Sequence, residues 1–150
     1  VSKPDFESMV TQGQLLEHAQ VFGNYYGTSQ AYVEGELRNG HDVILEIDWQ
    51  GAQQIRRAMQ HTRSIYIVPP SRDALQERLE KRSQDSADVI QGRMEEAVNE
   101  MSHYNEFDYL VVNDDFYKAL DELCSIFVAE RLQISKQSQR HQSLLVQLLS

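Results

Sequence analysis

The stretch DVILEIDWQGAQQIRRAMQ, residues 42–60, contains the pattern that decides the fold class. Its first part is an apolar run short enough to form a buried strand, and its second part has the spacing of an amphipathic helix. Two further short apolar runs, SIYIVPP at 64–70 and YLVVND at 109–114, are each followed by a helical pattern. Strands that alternate with helices in this way are typical of a parallel sheet. The sequence therefore predicts an α/β fold with a parallel sheet flanked by helices.

The residues before Ser29 do not follow this alternation. KPDFESMVTQ, residues 3–12, indicates a short helix that ends at Gly13, and the aromatic segments on either side of a turn at residues 23–24 have the composition of strands. Ser29 is a suitable N-cap for a helix that ends near residues 39–40. We therefore expect a small mixed α+β subdomain at the start of the chain.

The composition of the chain restricts the classes of protein to consider. Its formal net charge of −9 argues against non-specific nucleic-acid binding, which depends on basic surfaces, although local arginines are compatible with a small anionic ligand. No apolar run approaches the roughly 20 residues that a membrane-spanning helix needs. The single cysteine, Cys124, lies among apolar residues, so we expect a buried thiol and a cytoplasmic protein.

Two carboxylates, Glu46 and Asp48, stand at the end of the first apolar run. Ligands of open parallel sheets bind beyond the carboxyl ends of the strands, and residues two apart on a strand share one face. Acidic side chains in this place commonly hold a metal ion, directly or through water, or accept hydrogen bonds from the N–H groups of a ligand. The alternative is that one or both only cap the helix that begins near Trp49.

Three arginines form a second candidate cluster, in ERLEKRSQDSADVIQGRM at residues 77–94. Arg78 and Arg82 are four apart and therefore neighbours on one helix face, and Arg93 follows in the next helix, beyond a polar turn at residues 83–86. Guanidinium groups match phosphate oxygens, so two helices joined by a short turn are suited to close over phosphates. The alternative is an ordinary surface, on which nearby acidic residues pair with the arginines.

Other catalytic or metal-binding motifs are absent from the sequence. The five histidines have no metal-ligand spacing, and no Ser-His-Asp or Cys-His arrangement can be argued. The two glycines with P-loop spacing, Gly35 and Gly40, are followed by His41 and Asp42 instead of the required Lys and Ser or Thr. The chain therefore offers acidic, arginine and hydroxyl parts of a phosphoryl-transfer site without a loop that cradles phosphates.

Five stretches, taken together, resemble those of one known family, the guanylate kinases, which phosphorylate GMP with ATP. They occur in the order and at the spacing of the family, and they are LLEHAQVFGNYYGTS, VILEIDWQGAQQIR, SIYIVPPS, LEKRSQDS and VVND. The similarity runs from Val1 nearly to the end. It implies a P-loop-kinase-type sheet, incomplete at the N-terminus, with a GMP-binding subdomain at about residues 1–34. The remaining core would occupy residues 35–150 and include a short helical lid at about residues 78–93.

The resemblance also implies roles for the substrate-binding residues. Glu17 would accept hydrogen bonds from the guanine N1–H and exocyclic amine, Thr28 would bind the base from another side, and Asp48 would contact its amine edge. A carboxylate suits an edge with two donors, and adenine, which lacks that edge, would be rejected. Tyr26 would reach the phosphate of GMP.

For the transfer step the resemblance implies that Arg78, Arg82 and Arg93 match lid arginines, which neutralise charge on the transferring phosphoryl group. Asn113 matches the loop beside the adenine of ATP, and Glu46, where the family usually has Asp, would support the phosphate site or a Mg²⁺-bound water. Mg²⁺ would arrive with ATP, and no direct protein ligand for a metal is expected. The attacking oxygen of GMP is already largely ionised near neutral pH, because the second pKa of a phosphate is about 6, so no general base is required.

The first strand of the family and its P-loop are not found in these 150 residues. We therefore expect the chain to have little or no kinase activity by itself, and to expose apolar faces and a sheet edge open to homo-oligomer formation. The alternative function is a guanylate-kinase-like protein-interaction domain that has lost catalysis. That alternative predicts erosion of the guanine-reading and lid residues, which are all present, so the sequence favours an enzyme of purine nucleotide metabolism without a nucleic-acid or membrane partner.

Overall fold

The computed structural model describes residues 1–21, 24–82 and 87–150. The chain forms two compact units. The first consists of Val1–Ser64 and Ser102–Phe107, and the second of Ile65–Met101 and Asp108–Ser150. The boundary expected at residue 34 separates a GMP-binding subdomain from the remaining core by function, whereas these two units are compact bodies. That boundary therefore stays a prediction.

The first unit starts with a helix and a hairpin. Helix α1 spans Lys3–Thr11, and the side chain of Ser2 caps it by accepting a hydrogen bond from a backbone N–H of the first turn. Gly13 follows with a φ of 65°, a conformation that glycine adopts at low cost. Strands β1 (Leu15–Val21) and β2 (Asn24–Ser29) then pair in antiparallel fashion. The predicted helix, its end and the two strands are confirmed, and the turn between the strands falls outside the described ranges.

Two more helices follow the hairpin. Helix α2 spans Gln30–Arg38, and Ser29 caps it as predicted. Helix α3 spans Trp49–Ala58 and has Asp48 as its N-cap. Gly40 lies two positions beyond α2 with a φ of 83°, where glycine ends a helix without steric strain. The boundaries of these helices therefore follow from local capping signals.

The prediction of a strand in the apolar run DVILEID, residues 42–48, is wrong. These residues form no regular element, and neither sheet of the described residues contains a partner for them. Every second side chain nevertheless packs against the core of the first unit, which Leu16, Val33 and Ile55 form. The packed side chains are those of Val43, Leu45 and Ile47. The apolar alternation is thus satisfied by packing alone, whereas a strand also requires a neighbour for its backbone hydrogen bonds.

The second unit contains a pair of parallel strands. β3 (Ile65–Val68) pairs with β4 (Tyr109–Val112), and the ladder is extended by a hydrogen bond of 2.8 Å from Asn113 N to the carbonyl oxygen at the end of β3. The chain between the strands contains helices α4 (Arg72–Arg82) and α5 (Ala87–Met101). Parallel strands need such a crossover, so this arrangement confirms the predicted α/β class.

Three helices follow β4, namely α6 (Phe116–Arg131), α7 (Ile134–Arg140) and α8 (Gln142–Leu149). Asp115 caps α6 through a hydrogen bond from a first-turn backbone N–H. Cys124 on α6 is a free, exposed thiol, so the prediction of a buried thiol is wrong. Leu120 and Val128, the apolar residues one helical turn before and after Cys124, are exposed themselves and therefore do not bury the thiol.

Candidate functional site

A cleft of about 420 Å³ in the first unit brings together five of the predicted site residues. Its walls are the β1–β2 hairpin and the segment at residues 44–48 that leads into α3. The five residues are Glu17, Tyr26, Thr28, Glu46 and Asp48. A volume of this order is typical of pockets for small-molecule ligands, which measure about 300–1,000 Å³.

The register of the hairpin places three of these side chains on one face. Glu17 is opposite Thr28, and Ala19 is opposite Tyr26, and residues opposite each other in an antiparallel pair point to the same side. The pairing shifts by one residue just before Glu17. Leu16 and Glu17 are adjacent and both buried, Leu16 in the core of the unit and Glu17 in the wall of the cleft. Because successive strand residues point to opposite faces, a core leucine and a cleft carboxylate can occupy consecutive positions.

Glu17 is buried, with only 4% of its surface exposed. Thr28 Oγ1 donates a hydrogen bond of 2.6 Å to Glu17 Oε1. A buried carboxylate is costly unless it is hydrogen-bonded, and its two oxygens together accept about four hydrogen bonds. The hydrogen bond from Thr28 therefore fixes the carboxylate of Glu17 at the wall of the cleft and leaves it able to accept further hydrogen bonds. These can come from N–H groups of a ligand.

Asp48 is half-buried at the cleft and caps α3. Its Oδ1 accepts a hydrogen bond of 2.7 Å from Gly51 N. Asp48 therefore caps the helix that begins at Trp49, which was one of the two alternatives for this residue. Capping engages one oxygen of the carboxylate and leaves acceptor capacity on the other, so a role for Asp48 towards a ligand stays a prediction.

Gly51 permits both carboxylates to approach the first turn of α3. A Cβ added at Gly51 would lie 3.2 Å from Glu17 Oε2 and 3.3 Å from Asp48 Oδ1. The two acidic side chains therefore converge where the helix backbone presents its N–H groups and partial positive charge. The sequence alone does not single out Gly51, because this approach joins segments that are distant along the chain.

Tyr26 and Glu46 form the open side of the cleft. Tyr26 is 56% exposed, and Glu46 is also exposed. The lining of the cleft thus combines a buried acceptor with solvent-accessible polar groups. The predicted roles of these two residues, towards a phosphate and a metal-bound water, stay predictions.

The predicted lid residues and Asn113 belong to the second unit. Arg78 lies on α4, and its Nη2 donates a hydrogen bond of 2.8 Å to Asn113 O, which immediately follows β4. Arg93 is half-buried on α5. Arg82 ends α4, and its side chain and the predicted turn at residues 83–86 lie outside the described residues.

A polar cluster in the first unit is not predicted from the sequence. Its centre is Glu106, in a 3₁₀ turn at Tyr104–Glu106. Gln53 Nε2 donates to Glu106 Oε2 at 2.7 Å, Arg56 Nη2 lies 3.2 Å from the same oxygen, and His103 Nδ1 lies 2.6 Å from Glu106 Oε1. The hydrogen bond with His103, followed by that from Gln53, holds the pKa of the Glu106 carboxyl below its ordinary value.

This cluster also contacts the start of α3. The rings of Trp49 and His103 are stacked, with centroids 3.6 Å apart and an interplanar angle of 6°. Trp49 directly follows the cap residue Asp48, so the stack supports the first turn of α3 beside the cleft. Gln53 and Glu106 are 53 positions apart, and no local pattern in the sequence indicates that they meet.

Within the described ranges, no group of three or more His, Cys, Asp or Glu side chains is arranged to hold a metal ion. The carboxylates of the cleft therefore do not form a metal cage by themselves. In the same part of the chain, no helix combines the length and the apolar character needed to cross a bilayer.

Known proteins share both the sequence and the fold. The family model for guanylate kinase matches residues 1–130. All 150 residues align with guanylate kinases from Hahella chejuensis, at 59% identity, and from Escherichia coli, at 56%, and the chain spans 72% of the length of each. The crystal structure of guanylate kinase from Anaplasma phagocytophilum is similar with a TM-score of 0.75 and 32% identity, over 91% of this chain and 66% of that one.

These similarities confirm the resemblance inferred from the five sequence stretches, and they confirm the predicted fold class. The family model covers more than half of the chain, and the relatives are similar along its whole length. On this basis the chain belongs to the guanylate kinase family.

Proposed function

We propose that the chain carries the GMP-binding part of an enzyme that transfers a phosphoryl group from ATP to GMP, giving ADP and GDP. The observation that supports this most is Glu17, a buried carboxylate that Thr28 Oγ1 holds at 2.6 Å in the wall of the cleft. Guanine presents two adjacent donors, N1–H and the exocyclic amine, and a carboxylate accepts from both. Adenine lacks this edge and would leave the buried acceptor unpaired, so we propose selectivity for GMP.

Two further residues extend the proposed binding site. Asp48 contacts the amine edge of the base through the oxygen that does not cap α3. Tyr26, on the open side of the cleft, reaches the phosphate. The difference in exposure between Glu17 and Tyr26 suits a nucleotide. The base is taken out of water, while the phosphate stays near the solvent, where its reaction partner arrives.

The proposed reaction is an in-line displacement. A phosphate oxygen of GMP forms a bond to the γ-phosphorus of ATP, the bond from that phosphorus to the β–γ bridging oxygen breaks, and ADP leaves with its electron pair. Arg78, Arg82 and Arg93 neutralise charge on the transferring group. Arg78 engages Asn113 O through Nη2, and since a guanidinium has five N–H donors, others remain for phosphate oxygens.

Mg²⁺ accompanies ATP in the proposed reaction. This ion usually keeps several waters and binds one or two carboxylates together with the substrate phosphates, so it needs no cage of protein ligands. The exposed carboxylate of Glu46 fits that mode of binding through water. When bound, the ion supplies positive charge to the β- and γ-phosphates.

The 150 residues contain no P-loop motif, and we therefore propose that this chain binds GMP while transferring phosphate very slowly or not at all. We place the reaction in the cytoplasm, since the exposed free thiol of Cys124 suits a reducing compartment. Formation of a homo-oligomer stays a prediction.

A panel of nucleoside monophosphates tests the proposal. A ligand that binds only the folded state raises the melting temperature, so GMP should stabilise the chain while AMP, CMP and UMP at the same concentration should not. Phosphorus NMR of the chain with ATP, GMP and Mg²⁺ should show GDP formation near background. A chain that no nucleotide stabilises would favour the interaction-domain alternative, and rapid GDP formation would contradict the need for a P-loop.

A further inference from the structure

Gln54, on α3, forms two hydrogen bonds with a single backbone residue of β1. Its Oε1 accepts from His18 N, and its Nε2 donates to His18 O, each at 3.1 Å. In the described residues β1 pairs only with β2, so its other edge has no neighbouring strand. The carboxamide of Gln54 takes the place of such a neighbour for both backbone groups of His18 and ties the hairpin to α3.

This contact lies beside the proposed guanine acceptor. His18 directly follows Glu17, and Gly51 precedes Gln54 by three positions, so the two α3 residues share one helix face. A Cβ at Gly51 would lie 3.2 Å from Glu17 Oε2. The same face of α3 therefore touches β1 twice, at the backbone of His18 and at the carboxylate of Glu17.

The position of Glu17 depends on this support. A two-stranded hairpin is at best marginally stable by itself in water, so its orientation is determined by what it packs against. Asp48 is the N-cap of α3, and a fixed contact between β1 and α3 therefore also fixes the spacing between the carboxylates of Glu17 and Asp48. Displacements of about 1 Å at such contacts are large enough to weaken recognition strongly.

We infer that Gln54 is a positioning residue for guanine recognition. Through His18 it sets Glu17 relative to Asp48, and so determines how strongly the cleft distinguishes GMP from a purine nucleotide without the 2-amino group. Gln54 does not line the cleft and has no contact with the nucleotide in this account. The inference rests on the proposed function, in which these two carboxylates read the base.

The test compares the dissociation constants of GMP and IMP, which lacks the exocyclic amine, for three proteins. These are the wild-type chain, Gln54→Leu, which removes both hydrogen bonds, and Gln50→Leu, the same substitution at an exposed position of α3. Unfolded molecules bind neither nucleotide. The ratio of the two constants is therefore unaffected by a loss of folded protein, and it separates positioning from a merely structural role.

We expect the wild type and Gln50→Leu to prefer GMP by about 10-fold or more, the size of a hydrogen bond to a charged group. Gln54→Leu should reduce this preference by roughly 3- to 10-fold, chiefly through weaker GMP binding. Gln54→Glu keeps the acceptor for His18 N but replaces the donor with an oxygen that repels His18 O, so it should also reduce the preference. It also provides the measurement if Gln54→Leu does not fold.

Two results would contradict the inference in different ways. An unchanged preference in the folded Gln54 variants would show that Gln54 only stabilises the unit, and would overturn the inference while leaving the proposed function intact. A wild-type chain that binds GMP and IMP equally, or neither, would reject the proposed function and the inference together.

Discussion

Thr28 Oγ1 donates a hydrogen bond of 2.6 Å to Glu17 Oε1 across the β1–β2 hairpin. The two residues are direct cross-strand partners, and Glu17 is buried. The hydroxyl occupies one acceptor site of the carboxylate and restricts its rotation. The hairpin thus presents a pre-oriented acceptor to the cleft, which reduces the conformational entropy lost on binding a ligand.

Substitution of Thr28 by valine should weaken both stability and GMP binding. Thr28→Val has nearly the same shape but leaves one oxygen of a buried carboxylate without its donor, which costs about 1–3 kcal/mol. We expect urea unfolding to show a loss of this order, and calorimetric titration to show weaker GMP binding.

Thr28→Ser is the matched control, because it keeps the hydroxyl and removes only a methyl group. It should retain most of the GMP affinity. If Thr28→Val binds GMP as tightly as Thr28→Ser does, the hydroxyl does not orient Glu17 for binding.

Local signals in the sequence predict the helix ends of the first unit. Gly13 and Ser29 have the conformations or hydrogen bonds expected from their residue types, because capping depends on a few neighbouring residues. Local signals do not predict the structure of the segment at residues 42–48. Its apolar alternation is real, but whether it becomes a strand depends on a pairing partner that local sequence does not specify.

The residues of the candidate site are predicted from the family resemblance and not from local signals. The resemblance to a family pointed to Glu17, Thr28 and Asp48, and the structure places all three at one cleft. The contacts that hold them, such as Gln54 with the backbone of His18, join elements far apart in the sequence. Spacing rules apply within one element, so they do not reveal contacts of this kind.

Asp48 allows its capping role to be separated from its proposed role in binding. Asparagine is as good an N-cap as aspartate, whereas alanine loses the cap at a cost of about 0.5–2 kcal/mol. Asp48→Asn should therefore unfold at nearly the same urea concentration as the wild type. The fluorescence of Trp49, the only tryptophan, monitors this unfolding. Asp48→Ala should be less stable by about the cost of the cap.

For GMP binding, both Asp48 variants should be weaker than the wild type, since neither offers a charged acceptor to the amine edge of guanine. Wild-type affinity in Asp48→Asn would show that Asp48 is a cap only. The alternative that the sequence left open would then be correct.

Glu106 should give the folded state a pH-dependent stability. Its pKa in the folded chain lies below the ordinary value of 4.5, chiefly because of the hydrogen bond with His103. A lowered carboxyl pKa stabilises the folded state above the unfolded-state pKa, and this contribution is lost as the pH falls through the folded-state pKa. The wild type should therefore be more stable than Glu106→Gln at pH 7, and the difference should shrink below about pH 4.5 and vanish at lower pH.

Urea unfolding of both proteins across this pH range measures the difference. Glu96→Gln, an exposed position on α5, serves as the control and should run parallel to the wild type. A constant difference between wild type and Glu106→Gln down to the lowest pH would mean that packing, and not the ionised carboxylate, gives Glu106 its effect.

The most direct test of the account is calorimetric titration of the 150-residue chain and of Glu17→Gln with GMP at neutral pH. Glutamine has the size of glutamate, but it replaces one acceptor oxygen with an amide that repels the donor edge of guanine. We predict saturable one-to-one binding by the wild type and a loss of affinity of about 10-fold or more in Glu17→Gln. Equal GMP affinity in the two folded proteins would contradict the central claim that Glu17 reads the base.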